Sequence, residues 1–322
     1  MNVEQEKLYE KYEALSPIYQ GGLTNHLPMM FTALVESGVS TAKIEEILDK
    51  YKSDKDLYEL TDVTYPTSDF EQAYINQTGY YLGRIHEVGV DITVGVFMND
   101  MTHALSSGLY HGLIRLAYGL KSKHDVLIAQ ALAYFECLKS EEEEQGQVVS
   151  FNEFEMVCTN LDKIRSLMDA EFSAPGTYNK IEVIKQRKEL MDKIVVVKDI
   201  QFHHKELLEL FARRYKHTQD FYTLHILTGF DALLEIEEFI PQFSVVLNRF
   251  LYSAQIIMLL ENGLNPIDKE HTRGFDEILS EIDQLHDEHE IKLVYSLSTL
   301  YRRFNVVECL EIANHIMDKK GE

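Results

Sequence analysis

The chain has 322 residues, 45% of them hydrophobic, with 53 Asp plus Glu against 31 Lys plus Arg and a formal charge of −22. That length allows one large domain or two small ones around a sizeable core, and so acidic a surface argues against nucleic acid or anionic membrane as partners. Cys137, Cys158 and Cys309 are odd in number and far apart, which points neither to a disulfide framework nor to a Cys-type zinc site.

The start of the chain, Met1 to Lys7, is acidic and polar. It lacks the basic and apolar regions of a signal peptide, and no stretch of about 18 apolar residues follows to span a bilayer. The expected setting is a reducing cytoplasm. Only six prolines occur, and apolar residues recur at helical spacing, so nearly the whole chain reads as α-helix. In chain order the expected helices cover about 3–15, 25–37, 41–52, 69–88, 91–104, 107–121 and 123–139. They continue at about 150–170, 178–194, 201–216, 218–238, 242–262, 275–286, 288–303 and 305–319. Ser68–Glu71 and Ser150–Glu153 have capping-box spacing, Ser40 caps the third helix, and Gly21–Gly22, Gly38, Gly263 and Gly274 read as stops. The β-branched run Ile194–Val197 suits a short extended piece. The expected fold is an all-α single domain, 1–322, of about 13–15 helices with an active site buried between them. An acidic loop, 141–147, could divide it into halves 1–140 and 150–322.

Four histidines lie in four separate apolar segments: His26, His111, His225 and His289. Imidazole is the commonest metal-ligand side chain, and four buried together need a metal or a full set of hydrogen-bond partners. Asn25 reads as an N-cap that puts His26 at a helix entrance, with Pro28 tolerated in the first turn. Gly108, His111, Arg115 and Tyr118 share one face of an otherwise apolar helix. Gly108 and Gly112 would admit a close backbone or ligand. Thr218, Tyr222, His225, Thr228 and Gly229 share another face. His289 and Lys292 are i, i+3, in an apolar setting that lowers a lysine pKa. A neutral amine can take up carbon dioxide as a carbamate, whose oxygen is an anionic metal ligand. His103 precedes a Ser106–Ser107–Gly108 break, so it is at most a neighbour of the ligands. His203–His204 point in different directions, and His286 sits at an exposed junction. There is no His-Glu-x-x-His motif, no dinucleotide fingerprint and no P-loop, so neither flavin nor nicotinamide is suggested.

Five strings occur in order: Gly-Gly-Leu-Thr-Asn-His-Leu-Pro-Met, His-Gly-Leu-Ile-Arg-Leu-Ala-Tyr, Ala-Leu-Ala-Tyr, Thr-Leu-His-Ile-Leu-Thr-Gly and His-Glu-Ile-Lys, from residue 21 to 292. In this the chain resembles the questin oxidase-like family; residues 140–200 carry no part of the resemblance. The resemblance implies a helical protein with a mononuclear non-haem iron held by His26, His111, His225, His289 and a carboxylated Lys292. It also implies oxygen-dependent, ring-opening or Baeyer–Villiger-type oxidation of an aromatic polyketide-like molecule. Asp231 stands near a position where the family commonly has histidine, which bears on substrate identity rather than on the ligands. Imidazole suits iron, zinc and nickel alike; it is the resemblance that makes Fe(II) the expected metal, with zinc or nickel as alternatives. Five protein ligands would leave one octahedral position open. Arg115 could steady the carbamate or a superoxide-level intermediate, with Tyr118 nearby. Two other readings stay open: a zinc-type hydrolase or lyase on the same ligands, and a non-enzymatic helical scaffold whose histidines bond to carbonyls or carboxylates.

Overall fold

A computed structural model describes residues 1–60, 67–138, 147–165, 176–261, 263–267 and 273–319. Residues 141–146 of the expected acidic loop and 166–170 of the expected 150–170 helix lie outside them. Caps set most of the helix starts. Asn2 opens α1 (Val3–Tyr9): its side chain accepts from the Glu4 and Gln5 N–H groups while Gln5 accepts from the Asn2 N–H, satisfying orphan donors reciprocally. The expected helix to about 15 stops short. Beyond Tyr9 the chain turns so that the Tyr12 hydroxyl reaches Asp49 at 2.8 Å and the Ser16 hydroxyl donates to buried Glu71 at 2.6 Å. A small antiparallel hairpin follows, β1 (Ile18–Tyr19) on β2 (Leu23–Thr24), with Gln20, Gly21 and Gly22 at positive φ in its turn.

Then come α2 (Leu27–Glu36), α3 (Thr41–Asp54, capped by Ser40) and α4 (Asp69–Val88, opened by the Ser68–Glu71 capping box). Next are α5 (Val90–Met101), α6 (His111–Ser122) and α7 (Asp125–Leu138). Strand β3 (Gln147–Val149) pairs in parallel with β4 (Val195–Val197); between them in sequence lie α8 (Phe151–Arg165), α9 (Thr177–Lys185) and α10 (Lys188–Met191). The chain ends through α11 (His204–Thr218), α12 (Phe221–Glu235), α13 (Phe243–Met258), α14 (Phe275–Ser280), α15 (Glu288–Phe304) and α16 (Val307–Lys319). The described residues thus hold sixteen α-helices, against about 13–15 expected. The additional one arises because the expected 178–194 helix breaks at Gln186–Arg187, and its β-branched tail forms β4. The fold is a mostly α single domain with two very small sheets. Gly274, expected as a stop, stands instead at the N-cap of α14. Among the described residues no helix is long and apolar enough to cross a membrane.

The centre is a ring of four helices: α2 packs on α6, α6 on α12, α12 on α15, and α15 back on α2. Both α6 and α12 are buried along nearly their whole length, as expected for helices apolar all round. Helix α7 closes over α6 at the glycines. A Cβ at Gly112 would stand 2.6 Å from the Phe135 ring and 3.0 Å from the Phe135 Cα, and one at Gly119 would stand 3.2 Å from the Leu127 carbonyl oxygen. Gly112→Ala therefore pushes backbone from backbone. It is expected to cost roughly 1–3 kcal/mol of stability, read as a lower denaturant midpoint; an unchanged midpoint would contradict the close crossing.

Candidate metal centre

All five expected ligand residues come from the first two turns of the four ring helices. His26 is the N-cap of α2, one residue later than the expected cap Asn25. Asn25 is turned to hold the entrance: its side-chain oxygen accepts from the Leu27 N–H at 3.0 Å and its amide donates to the Ser16 carbonyl at 2.8 Å. The His26 imidazole makes no cap bond and is left for the cluster. His111 is the first residue of α6, His225 the fifth of α12, and His289 and Lys292 the second and fifth of α15. Four helix N-termini thus converge, and their partial positive charge favours an anionic group between them over protonated imidazoles.

The four rings close a circuit. Ring centroids are 4.9 Å apart for His26 and His111, 4.9 Å for His111 and His225, 5.4 Å for His225 and His289, and 4.6 Å for His289 and His26. A candidate ligand atom from each of His26, His111 and His289 falls within 4.8 Å of the others. Lys292 Nζ is hydrogen-bonded to His26 Nδ1, and the Tyr118 hydroxyl donates to the Lys292 carbonyl at 3.2 Å. His111 Nδ1 is bonded to the Gly108 carbonyl, and His225 Nδ1 lies 2.7 Å from the Phe221 carbonyl. A carbonyl only accepts, so in both rings Nδ1 carries the proton and Nε2 keeps a lone pair. These two Nε2 atoms are buried and have no hydrogen-bond partner. A ligating histidine is oriented in this way, its other nitrogen held by a carbonyl, and the residues fit a metal ion on that observation.

Burial dominates the electrostatics. It holds His26 and His225 well below the ordinary imidazole range, with Lys292 and His111 respectively adding to the effect, and takes His111 down to about 3. It also lowers His289, against the pull of Asp287. Burial takes Lys292 down to about 7, opposed by Glu288 and Asp287. Each of these bases is held below its unfolded value, so the unfolded chain binds more protons and stability falls as pH falls. For the imidazoles the loss begins below the unfolded value of 6.5 and continues towards about 3; for Lys292 it runs from 10.5 to about 7. The urea midpoint of metal-free protein is therefore expected to be lower at pH 5 than at pH 8, and a flat profile would contradict the burial of neutral bases.

A pocket of about 440 Å³ opens over His26, His111 and His289. The β1–β2 hairpin, the turn before α6, Phe221 and α9 wall it. Three features have no counterpart in the sequence reading. Phe221 packs on His225 at 4.3 Å and on His289 at 5.2 Å between centroids. The wall from α9, including Tyr178, Glu182 and Lys185, comes from a stretch that carries no recognisable string. Gly108, Leu109 and Tyr110 all have positive φ, strained for the two side-chain-bearing residues. Tyr110 is pinned there by Ser253 at 2.8 Å and by its fit against Gly229, where a Cβ would come within 2.9 Å of its ring. That turn aims the Gly108 carbonyl at His111.

Not every candidate joins the cluster. His103 is half-buried just beyond α5, and among the described residues no contact links it to a histidine of the centre. Arg115 is one turn along α6 from His111, but its guanidinium lies over Tyr134 and Tyr74. His203 stacks on Phe151 at 4.4 Å, and His286 is exposed. Asp231 pairs with Thr299 and Lys121, on α15 and α6, away from the four rings.

A sequence-family model described as Questin oxidase-like matches residues 23–297. The matched span includes His26, His111, His225, His289 and Lys292. No curated protein matches the chain.

Proposed function

We propose that this chain, which belongs to the questin oxidase-like family, is a metal-dependent oxidoreductase that uses dioxygen to open or insert oxygen into a ring of an aromatic polyketide-like molecule. His26, His111, His225 and His289 would hold Fe(II), and Lys292 would join them as its carbamate. The observation that carries this reading is the closed circuit of four imidazoles, three buried and His289 partly exposed, two with buried, unpartnered Nε2 atoms, beside a buried lysine. Bound there, Fe(II) supplies the one-electron chemistry that lets dioxygen react with a closed-shell aromatic substrate.

The chain's own groups do the rest. Leu109, Ile181 and Phe221 give the pocket apolar walls for a flat ring system, and Glu182 and Lys185 make part of its lining polar. The Phe221 and Gly108 carbonyls keep two imidazoles in one tautomer and one orientation. The lysine's depressed pKa leaves a substantial neutral fraction at neutral pH, the form that reacts with carbon dioxide. A scaffold with no metal accounts for the carbonyl-bonded nitrogens of His111 and His225 but leaves their Nε2 atoms buried and unsatisfied, which is costly.

Zinc on the same donors remains the runner-up, because neutral imidazoles suit both metals. Reconstitution separates the two. With a hydroxylated anthraquinone, oxygen uptake is expected from the Fe(II) form and none from the zinc form. Turnover by the zinc form without oxygen would overturn the oxidase reading in favour of a hydrolase or lyase.

A further inference from the structure

Phe221 carries a ring that its backbone duty does not explain. It is the first residue of α12, and its carbonyl accepts from His225 Nδ1 at 2.7 Å; a main-chain carbonyl does this whatever the side chain. The ring itself rests on two imidazoles, 4.3 Å from His225 and 5.2 Å from His289 between centroids. His225 is fully buried and does not line the pocket, whereas Phe221 and His289 do. The ring therefore screens His225 from the pocket, and an aliphatic side chain would screen it as well. Yet Phe221 remains 45% exposed. Leu23 on β2 is 53% exposed and Tyr178 on α9 66%, and both line the same pocket. Thr177 brings the start of α9 to the start of α12, its hydroxyl 3.5 Å from that of Tyr222. Single exposed apolar side chains are ordinary, but three from separate elements around one cavity mark a surface that a ligand covers.

Resting on the reading of this pocket as the substrate site, we propose that Phe221 positions the substrate: a planar, fused aromatic ring system stacks on the open side of its ring and is held beside His225 and His289. Aromatic pairs favour offset stacking or edge-to-face contact over a direct sandwich. A quinone ring system is electron-poor and a phenyl ring electron-rich, which suits the offset stack. Because two imidazoles support the Phe221 ring from behind, the stack sets both the height and the tilt of the bound molecule. A saturated ring system of the same size has no flat face to offer and gains only apolar contact.

The test measures binding to the metal-free full chain, so that chelation of the ligand by iron does not enter. The probes are a dihydroxyanthraquinone, read by the shift of its visible absorption, and a hydroxylated, fully saturated three-ring compound, read by calorimetry. The parent is expected to prefer the planar probe. Phe221→Leu keeps an apolar cover over His225 and is expected to reduce that preference by roughly three- to tenfold, the worth of one aromatic pair. Phe221→Tyr keeps the ring and is expected to bind as the parent does; Phe221→Met, also without a ring, replaces the leucine variant if that does not fold. Iron content after Fe(II) loading is expected to be the same in Phe221→Leu and the parent, because the carbonyl that holds His225 is kept. An unchanged preference in Phe221→Leu, the same loss in Phe221→Tyr, or loss of iron in step with loss of binding would overturn the proposal and leave the substrate reading of the pocket standing. No binding of the anthraquinone by the parent would overturn both.

Discussion

His111→Ala is expected to lose the metal while keeping the fold. The imidazole stands between His26 and His225 in the ring circuit, so its removal opens the donor set on one side. The remaining groups cannot close it, because Lys292 is tied to His26 and the His225 ring is held by the Phe221 carbonyl. Losing one of four protein imidazoles should lower affinity by well over the roughly 10–100-fold that follows from disturbing a ligand's supporting partner alone. The fold should survive. Helix α6 is fixed by the buried Leu113, Ile114, Leu116 and Ala117 and by its close crossing with α7, none of which involves the imidazole. Metal content and far-UV circular dichroism of the variant are the readout. Stoichiometric iron in a folded His111→Ala would remove this residue from the ligand set.

Lys292→Met is expected to act in opposite directions on stability and on metal affinity. The lysine is 1% exposed, and burial takes its pKa down to about 7, so the fold holds an amine whose charged form it disfavours. Methionine fills a similar volume without that cost, and replacing buried charge by well-packed apolar atoms is often neutral or stabilising by about 1–4 kcal/mol. Metal-free Lys292→Met should therefore be at least as stable as the parent. Its iron affinity should fall by at least about tenfold, by the same reasoning that governs ligand loss. The more specific sign is bicarbonate: the parent should bind iron more tightly as bicarbonate is added, and the variant should not respond. Full iron binding in the variant would make Lys292 a structural partner of His26 and nothing more.

Helical periodicity and caps such as Ser40, Ser68 and Ser150 locate most of the helices from sequence alone, because those signals are local. The four histidines and Lys292 stand out in the same way, since polar groups in apolar segments need an explanation. What the sequence hides depends on contacts distant along the chain. The end of α1 at Tyr9 rests on Tyr12 meeting Asp49 and Ser16 meeting Glu71. The left-handed turn at Leu109 and Tyr110 is held by Ser253 and Gly229 from other helices, and neither residue type advertises positive φ. Arg115 shares a face with His111 by spacing, yet the tyrosines of α4 and α7 draw it away. The pocket wall from α9 has no local signature. The parallel pairing of β3 with β4 joins residues far apart in the chain, although the β-branched run Ile194–Val197 marks one of its strands.

The central claim is that the four imidazoles and Lys292 hold one metal ion. Elemental analysis of untagged, freshly purified protein for iron, zinc, nickel and copper tests it most directly. About one iron per chain is the predicted result, the stoichiometry of a single site closed by these five groups. No metal bound, even after Fe(II) is added without oxygen, would contradict it and return the histidines to the core as ordinary side chains.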